Sequence, residues 1–235
     1  MILANARSRL RGTDLRLVVL ALAHGDDGDR GRLERRLSTD GPDALLDEPG
    51  LLPRLLALRT LAVPSPALFA YVAVRHTLLG AGITDRPLAD YLAALLLEFG
   101  DHDRAAQVRR HDDARYRYLV DVLADLADGG ERGERGFLLL AHLGNYSLWL
   151  AGLFPDYVAA RRLRAGGPDL PYYDDLGRHG YRLAAEHRLA ERYGVAGIYR
   201  AAAEGFPALR QAFNRLSDRV LFPNSNTHER VLRSL

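Results

Sequence analysis

From Phe137 to Phe154 the chain runs for 18 residues without a formally charged side chain. A helix of that length could cross the hydrocarbon of a bilayer. His142, Asn145, Tyr146 and Ser147 lie inside the run, however, and Pro155 follows it at once. Its hydropathy therefore falls short of a clear membrane span. A helix that is apolar almost all round needs protein on every side. The run predicts a central core helix over 137–154, with other helices packed about it.

The flanking sequence also reads as helix. No stretch sustains two-residue alternation between turn signals, which argues against strands. Thr13 can cap a helix that ends near Gly25, and Ser65-Pro66 places a capping residue before proline at the first helical position. Asp85 is placed to cap the next helix, which ends at Phe99-Gly100. Tyr116, Leu119, Val120, Leu123 and Leu126 recur three or four apart and predict a helix over 114–128. Pro49, Pro53 and Pro64 divide their region into short helical turns. Leu176, Leu183 and Ala190, seven apart, predict one long amphipathic helix over 172–193, with Gly177 and Gly180 weakening its first turns. A last helix starts near Pro207 and stops before Pro223. The expectation is a single all-α domain over 1–235, a compact bundle of about eight to ten helices. Residues 1–60, rich in proline and glycine, could form a looser helical subdomain.

Composition narrows the chemistry. All 32 basic residues are arginine. Arginine, alanine and glycine share GC-rich codons, so a GC-rich genome of bacterial type is the simplest source. The chain has no cysteine, which excludes disulfides, thiolate metal sites and cysteine nucleophiles. A chain of this size without such staples fits the cytoplasm. Arg7, Arg9, Arg11 and Arg16 precede the apolar run Leu17–Ala23 in the order of a secretory leader. The run is short, and Asp14 and Arg16 interrupt its approach, so it reads as a first helix. A phosphate loop of the Gly-x-x-x-x-Gly-Lys type is impossible without lysine, and Gly-x-Ser-x-Gly and His-Glu-x-x-His are absent. No motif implies a cofactor.

The candidate residues sit in unusual places. At 100° per residue, His142, Asn145, Tyr146 and Trp149 share about one third of the central helix's circumference. That polar stripe is either the wall of a ligand pocket or a satisfied seam against a neighbouring helix. Arg75 and His76 close an otherwise apolar helix that starts at Ser65. Arg75 needs a counter-charge such as Asp90, Glu98 or Asp121, or else receives an anionic ligand. His187 lies one turn beyond Leu183 on an apolar seam, with His179 and Glu186 beside it. With His142 these are weak metal candidates, because the Glu-x-x-His pairs of a di-iron bundle are missing.

His76, then His102-Asp103 or His111-Asp112, then Asp121 or Asp125 follow the order of four residues that resembles the all-α HD-domain phosphohydrolases. The resemblance would imply phosphohydrolysis. Here both dipeptides sit in a polar, charged stretch, whereas the family carries its dipeptide in an apolar helix.

Three functional readings follow. The leading one is a non-catalytic, self-associating helical protein that acts through protein contacts. The second is a ligand- or metal-binding protein, even an enzyme, with a site lined by Arg75, His76, His142, Asn145, Tyr146, Trp149 and His187. The third is nucleic-acid binding by residues 155–235, where 13 arginines face 9 acids and tyrosines are interleaved. That excess is diluted by the acids among it, which argues against a nucleic-acid footprint.

Overall fold

The computed structural model describes residues 1–58, 63–101, 104–108, 119–129 and 133–223. These residues form thirteen α-helices and, among the described residues, no strand. The all-α expectation holds. Short helices of five and seven residues, α3 (Pro42–Leu46), α4 (Leu51–Ala57) and α11 (Arg188–Arg192), raise the number above the sequence expectation. The backbone groups into two units, residues 4–97 and residues 1–3 with 98–235. The first of these runs well past the subdomain expected at 1–60.

The first unit holds α1 (Gly12–Ala23), α2 (Asp27–Asp40), α3, α4, α5 (Pro66–Leu79) and most of α6 (Arg86–Phe99). Its helix starts follow from sequence chemistry. The Ser65 hydroxyl accepts from Leu68 N–H at 3.1 Å and Asp85 Oδ1 accepts from Leu88 N–H at 2.9 Å, as the sequence led us to expect. At α1 the cap differs: Asp14 Oδ2, not Thr13, accepts from Arg11 N–H at 2.8 Å. A carboxylate in the first turn meets both the unpaired amide and the positive end of the helix.

In the second unit α8 (Glu134–Leu153) is the core helix, and it begins three residues before the uncharged run. It is long and apolar enough to cross a membrane, but 89% of that window is buried within the protein. Packed with it are α7 (Leu119–Gly129), α9 (Pro155–Ala165), α10 (Leu170–Glu186) and α13 (Phe206–Leu216), while α12 (Ala196–Glu204) packs on α10. The long helix expected over 172–193 is broken. His187 is extended (φ −75°, ψ 135°) and its Nδ1 accepts from Leu189 N–H at 3.2 Å, which caps α11. The imidazole thus starts a new helix instead of continuing the old one.

Gly177 and Gly180 do not loosen α10. They let it approach α8 and α13. A Cβ on Gly180 would lie 2.8 Å from the Leu140 carbonyl oxygen and 2.9 Å from Gly144 N, so the backbones of α8 and α10 touch. A Cβ on Gly177 would meet the Phe206 ring at 2.0 Å, and one on Gly144 the Tyr181 ring at 2.6 Å. The C-terminal end of α8 is held differently. Pro155 has no N–H to offer the Ala151 carbonyl. Asn214 Nδ2 on α13 donates instead to Ala151 O at 2.9 Å and Gly152 O at 2.7 Å, and the Ser217 hydroxyl donates to Leu153 O at 2.7 Å.

Candidate functional site

Arg75 and His76 are engaged inside the first unit. Helical spacing places Arg75 one turn beyond Tyr71, deep in α5, where it is 3% exposed. Its Nε and Nη2 donate to the two oxygens of Asp47 at 2.8 Å each, and its Nη1 donates to the Thr84 carbonyl at 2.9 Å. Arg86 Nη2 adds a third bond to Asp47 at 2.6 Å. The Arg75 hydrogen bond holds the Asp47 carboxyl below its ordinary pKa, against the opposing effect of burial. The partner of Arg75 is therefore Asp47 and none of Asp90, Glu98 or Asp121. Asp90 instead accepts from Arg7 N–H at 2.7 Å, and burial pushes its pKa up. His76 Nε2 lies 2.9 Å from the Leu46 carbonyl. A carbonyl can only accept, so Nε2 carries the proton; burial lowers the pKa of this ring. Both residues fix α3 against α5.

The polar stripe of α8 packs within the second unit. The buried Tyr181 hydroxyl donates to Asn145 Oδ1 at 2.7 Å. The His142 ring stacks on Tyr146 at 5.8 Å and tilts against Phe99, and Trp149 sets its edge on Phe99 at 5.6 Å. The space left beside His142 and Asn145 is about 10 Å³, room for one water at most. His187 stacks on Phe137 at 5.2 Å while it caps α11. His179 and Glu186 are exposed. Among the described residues no three His, Asp or Glu side chains gather as a metal site. His102, Asp103, His111 and Asp112 lie outside the described residues.

Space of ligand size occurs elsewhere, along the seam of α10 and α12, where a groove of about 470 Å³ lies open to solvent. Its floor includes the buried small side chains Ala185 and Ala203. Positions 175, 178, 179, 182 and 186 of α10 recur three or four apart, which puts Asp175, Arg178, His179, Arg182 and Glu186 on one face. Arg200 and Glu204, one turn apart on α12, line the opposite wall. All of these charged side chains are exposed. Arg182 Nη2 lies 3.1 Å from His179 Nδ1. Among the described residues, Arg178, Arg182 and Arg200 form no ion pair, and neither do Asp175, Glu186 and Glu204.

The sequence reading found His179 and Glu186 but not the other groove residues. The spacing of charges on α10 was visible, but their partner wall was not. Gly194 and Gly197 flank the start of α12, which gave no helical signal of its own. No family model, no curated protein and no solved structure matches the chain.

Proposed function

We propose that this protein is a non-catalytic helical binding protein whose working surface is the groove between α10 and α12. The observation that carries this is a ligand-sized space lined by six charged side chains that do not pair with one another. Pockets of about 300–1,000 Å³ are the usual size for small ligands. Unspent guanidinium and carboxylate groups in such a space are available to counter-charges on an incoming molecule.

Binding is favoured over catalysis by the lining itself. The groove offers no hydroxyl nucleophile among the described residues. His179 and Glu186 stand seven residues apart on one helix, about 10 Å along its axis, too far to act as one acid–base pair. Contacts between copies are less well supported. Leu20, Val63, Val120 and Leu163 are exposed, but they stand on separate elements, and single exposed apolar side chains are ordinary.

The test is a thermal-shift screen of charged small molecules on the wild-type chain and on Arg178→Ser/Arg200→Ser, beside native mass spectra of both untreated proteins. The proposal expects compounds that stabilise wild type and lose that effect in the variant. Stabilisation that is equal in both proteins would overturn it. So would a complete absence of stabilising compounds together with an oligomer unaffected by the substitutions.

A further inference from the structure

The order of charges along α10 assigns a charge order to the site. Asp175, Arg178, Arg182 and Glu186 follow one another along that helix, so its wall of the groove reads acid, two guanidiniums, acid. Arg200 and Glu204 line the facing wall from α12 and add a third guanidinium and a further acid.

Resting on the groove being the binding surface, we propose that its occupant is a small zwitterionic phosphate ester. The ester's phosphate would lie among Arg178, Arg182 and Arg200, and its ammonium group against one of the acidic ends. Guanidinium forks match phosphate oxygens in geometry and charge. The acidic ends repel a polyanion that extends along the groove. This disfavours nucleic acid, whose phosphates repeat every few ångströms. A simple dianion gains the centre but leaves the ends unused.

The experiment is isothermal titration calorimetry of the full chain at low salt with O-phosphoethanolamine and with inorganic phosphate. Wild type is expected to bind the amine-bearing ester several-fold more tightly than phosphate. Arg200→Gln and Arg178→Gln should each weaken both by about tenfold, the loss of one charge-assisted contact. Asp175→Gln/Glu204→Gln/Glu186→Gln should remove the preference for the ester, with phosphate bound at least as tightly as by wild type once the repelling carboxylates are gone. Arg164→Gln, on α9, should change nothing. The substituted groove side chains are exposed, so folding is not at stake, and circular dichroism confirms it for each variant. Vesicles containing phosphatidylethanolamine separate the sources: retention on them marks a lipid headgroup, and binding of the free ester alone marks a soluble ligand.

No heat with either probe would overturn the assignment, as would affinities indifferent to the arginine substitutions. Tighter binding of an oligonucleotide than of the ester would do the same in favour of nucleic acid. If these probes fail while the thermal-shift screen still finds groove-dependent compounds, only the ligand class falls. If groove substitutions alter neither experiment, the binding surface falls with it.

Discussion

Replacing Gly180 with alanine tests the contact on which the second unit is built. On helix propensity alone the change is favourable by about 1 kcal/mol, because glycine loses more backbone freedom than alanine on folding. The structure opposes this. The new methyl would sit 2.8 Å from Leu140 O, 2.9 Å from Gly144 N and 3.0 Å from the Leu143 Cβ. Two of these atoms are backbone and cannot rotate away, so α8 and α10 must separate by several tenths of an ångström. Such overpacking costs about 1–3 kcal/mol. The net expectation is a loss of about 0–2 kcal/mol once the propensity gain is subtracted. For a chain of this length that corresponds to a melting point lower by up to several degrees, at about 2–4 °C per kcal/mol. Trp149, the single tryptophan, lies on α8, so its fluorescence during urea unfolding reports this unit. Gly197→Ala is the matched control, since nothing lies within 4 Å of its Cβ position. It should be neutral or gain up to about 1 kcal/mol. A Gly180→Ala protein stabilised like the control would refute the backbone contact.

Other outcomes follow from the same geometry. Asp47→Ala strands the buried Arg75 guanidinium and should cost about 3–5 kcal/mol, read by urea unfolding followed by far-UV circular dichroism; a loss under about 1 kcal/mol would contradict the buried pair. Asp90→Asn keeps an oxygen for Arg7 N–H and removes a carboxylate whose pKa burial has raised. A raised carboxyl pKa costs stability once the group ionises, so the variant should match or exceed wild type at pH 7. Its advantage should shrink as pH falls through the raised pKa, and stability curves at several pH values check this. His76 runs the other way: burial lowers its pKa, so the unfolded chain takes up the proton first. Wild type should lose stability as pH falls from about 6.5 towards the folded ring's lower pKa, and a His76→Gln protein should lack that part of the slope. Ser147 is fully buried and, among the described residues, its hydroxyl has no hydrogen-bond partner. Ser147→Ala should therefore stabilise by roughly 0.5–1 kcal/mol in Trp149-monitored unfolding; destabilisation would show that the hydroxyl is satisfied.

The helical class and the core helix were legible because period and charge are local properties. The 18 uncharged residues of 137–154 can only be a buried helix in a protein whose other segments also read as helices. Caps at Ser65 and Asp85 were legible for the same reason, since a capping side chain acts within three residues. What failed was non-local. Gly177 and Gly180 read as weak points because propensity sees only the lost backbone order, whereas their use is a contact with α8 and Phe206. His187 read as a seam residue of one long helix, but its ring caps a second one. Arg75 was rightly expected to need a carboxylate. The choice of Asp47 depended on how α3 lies against α5, and no spacing encodes that. The polar stripe of α8 was expected inside the core; His142 and Asn145 are buried there, while Tyr146 and Trp149 are only half-buried. Whether it lined a cavity depended on Tyr181 and Phe99, which arrive from other helices and fill the space.

The groove was the least legible feature. It exists because small residues at the α10–α12 seam leave room between long charged side chains. One of its two walls comes from a helix that the sequence did not announce. Its third guanidinium, Arg200, arrives from α12, and no spacing on α10 encodes it.

The most direct measurement is a backbone amide chemical-shift map of the isotope-labelled full chain during titration with O-phosphoethanolamine. The account expects saturable shifts confined to 175–186 and 196–204, absent in Arg178→Ser/Arg200→Ser. Shifts centred on 142–149, or on Arg75 and His76, would contradict it and return the site to the residues that the sequence first singled out.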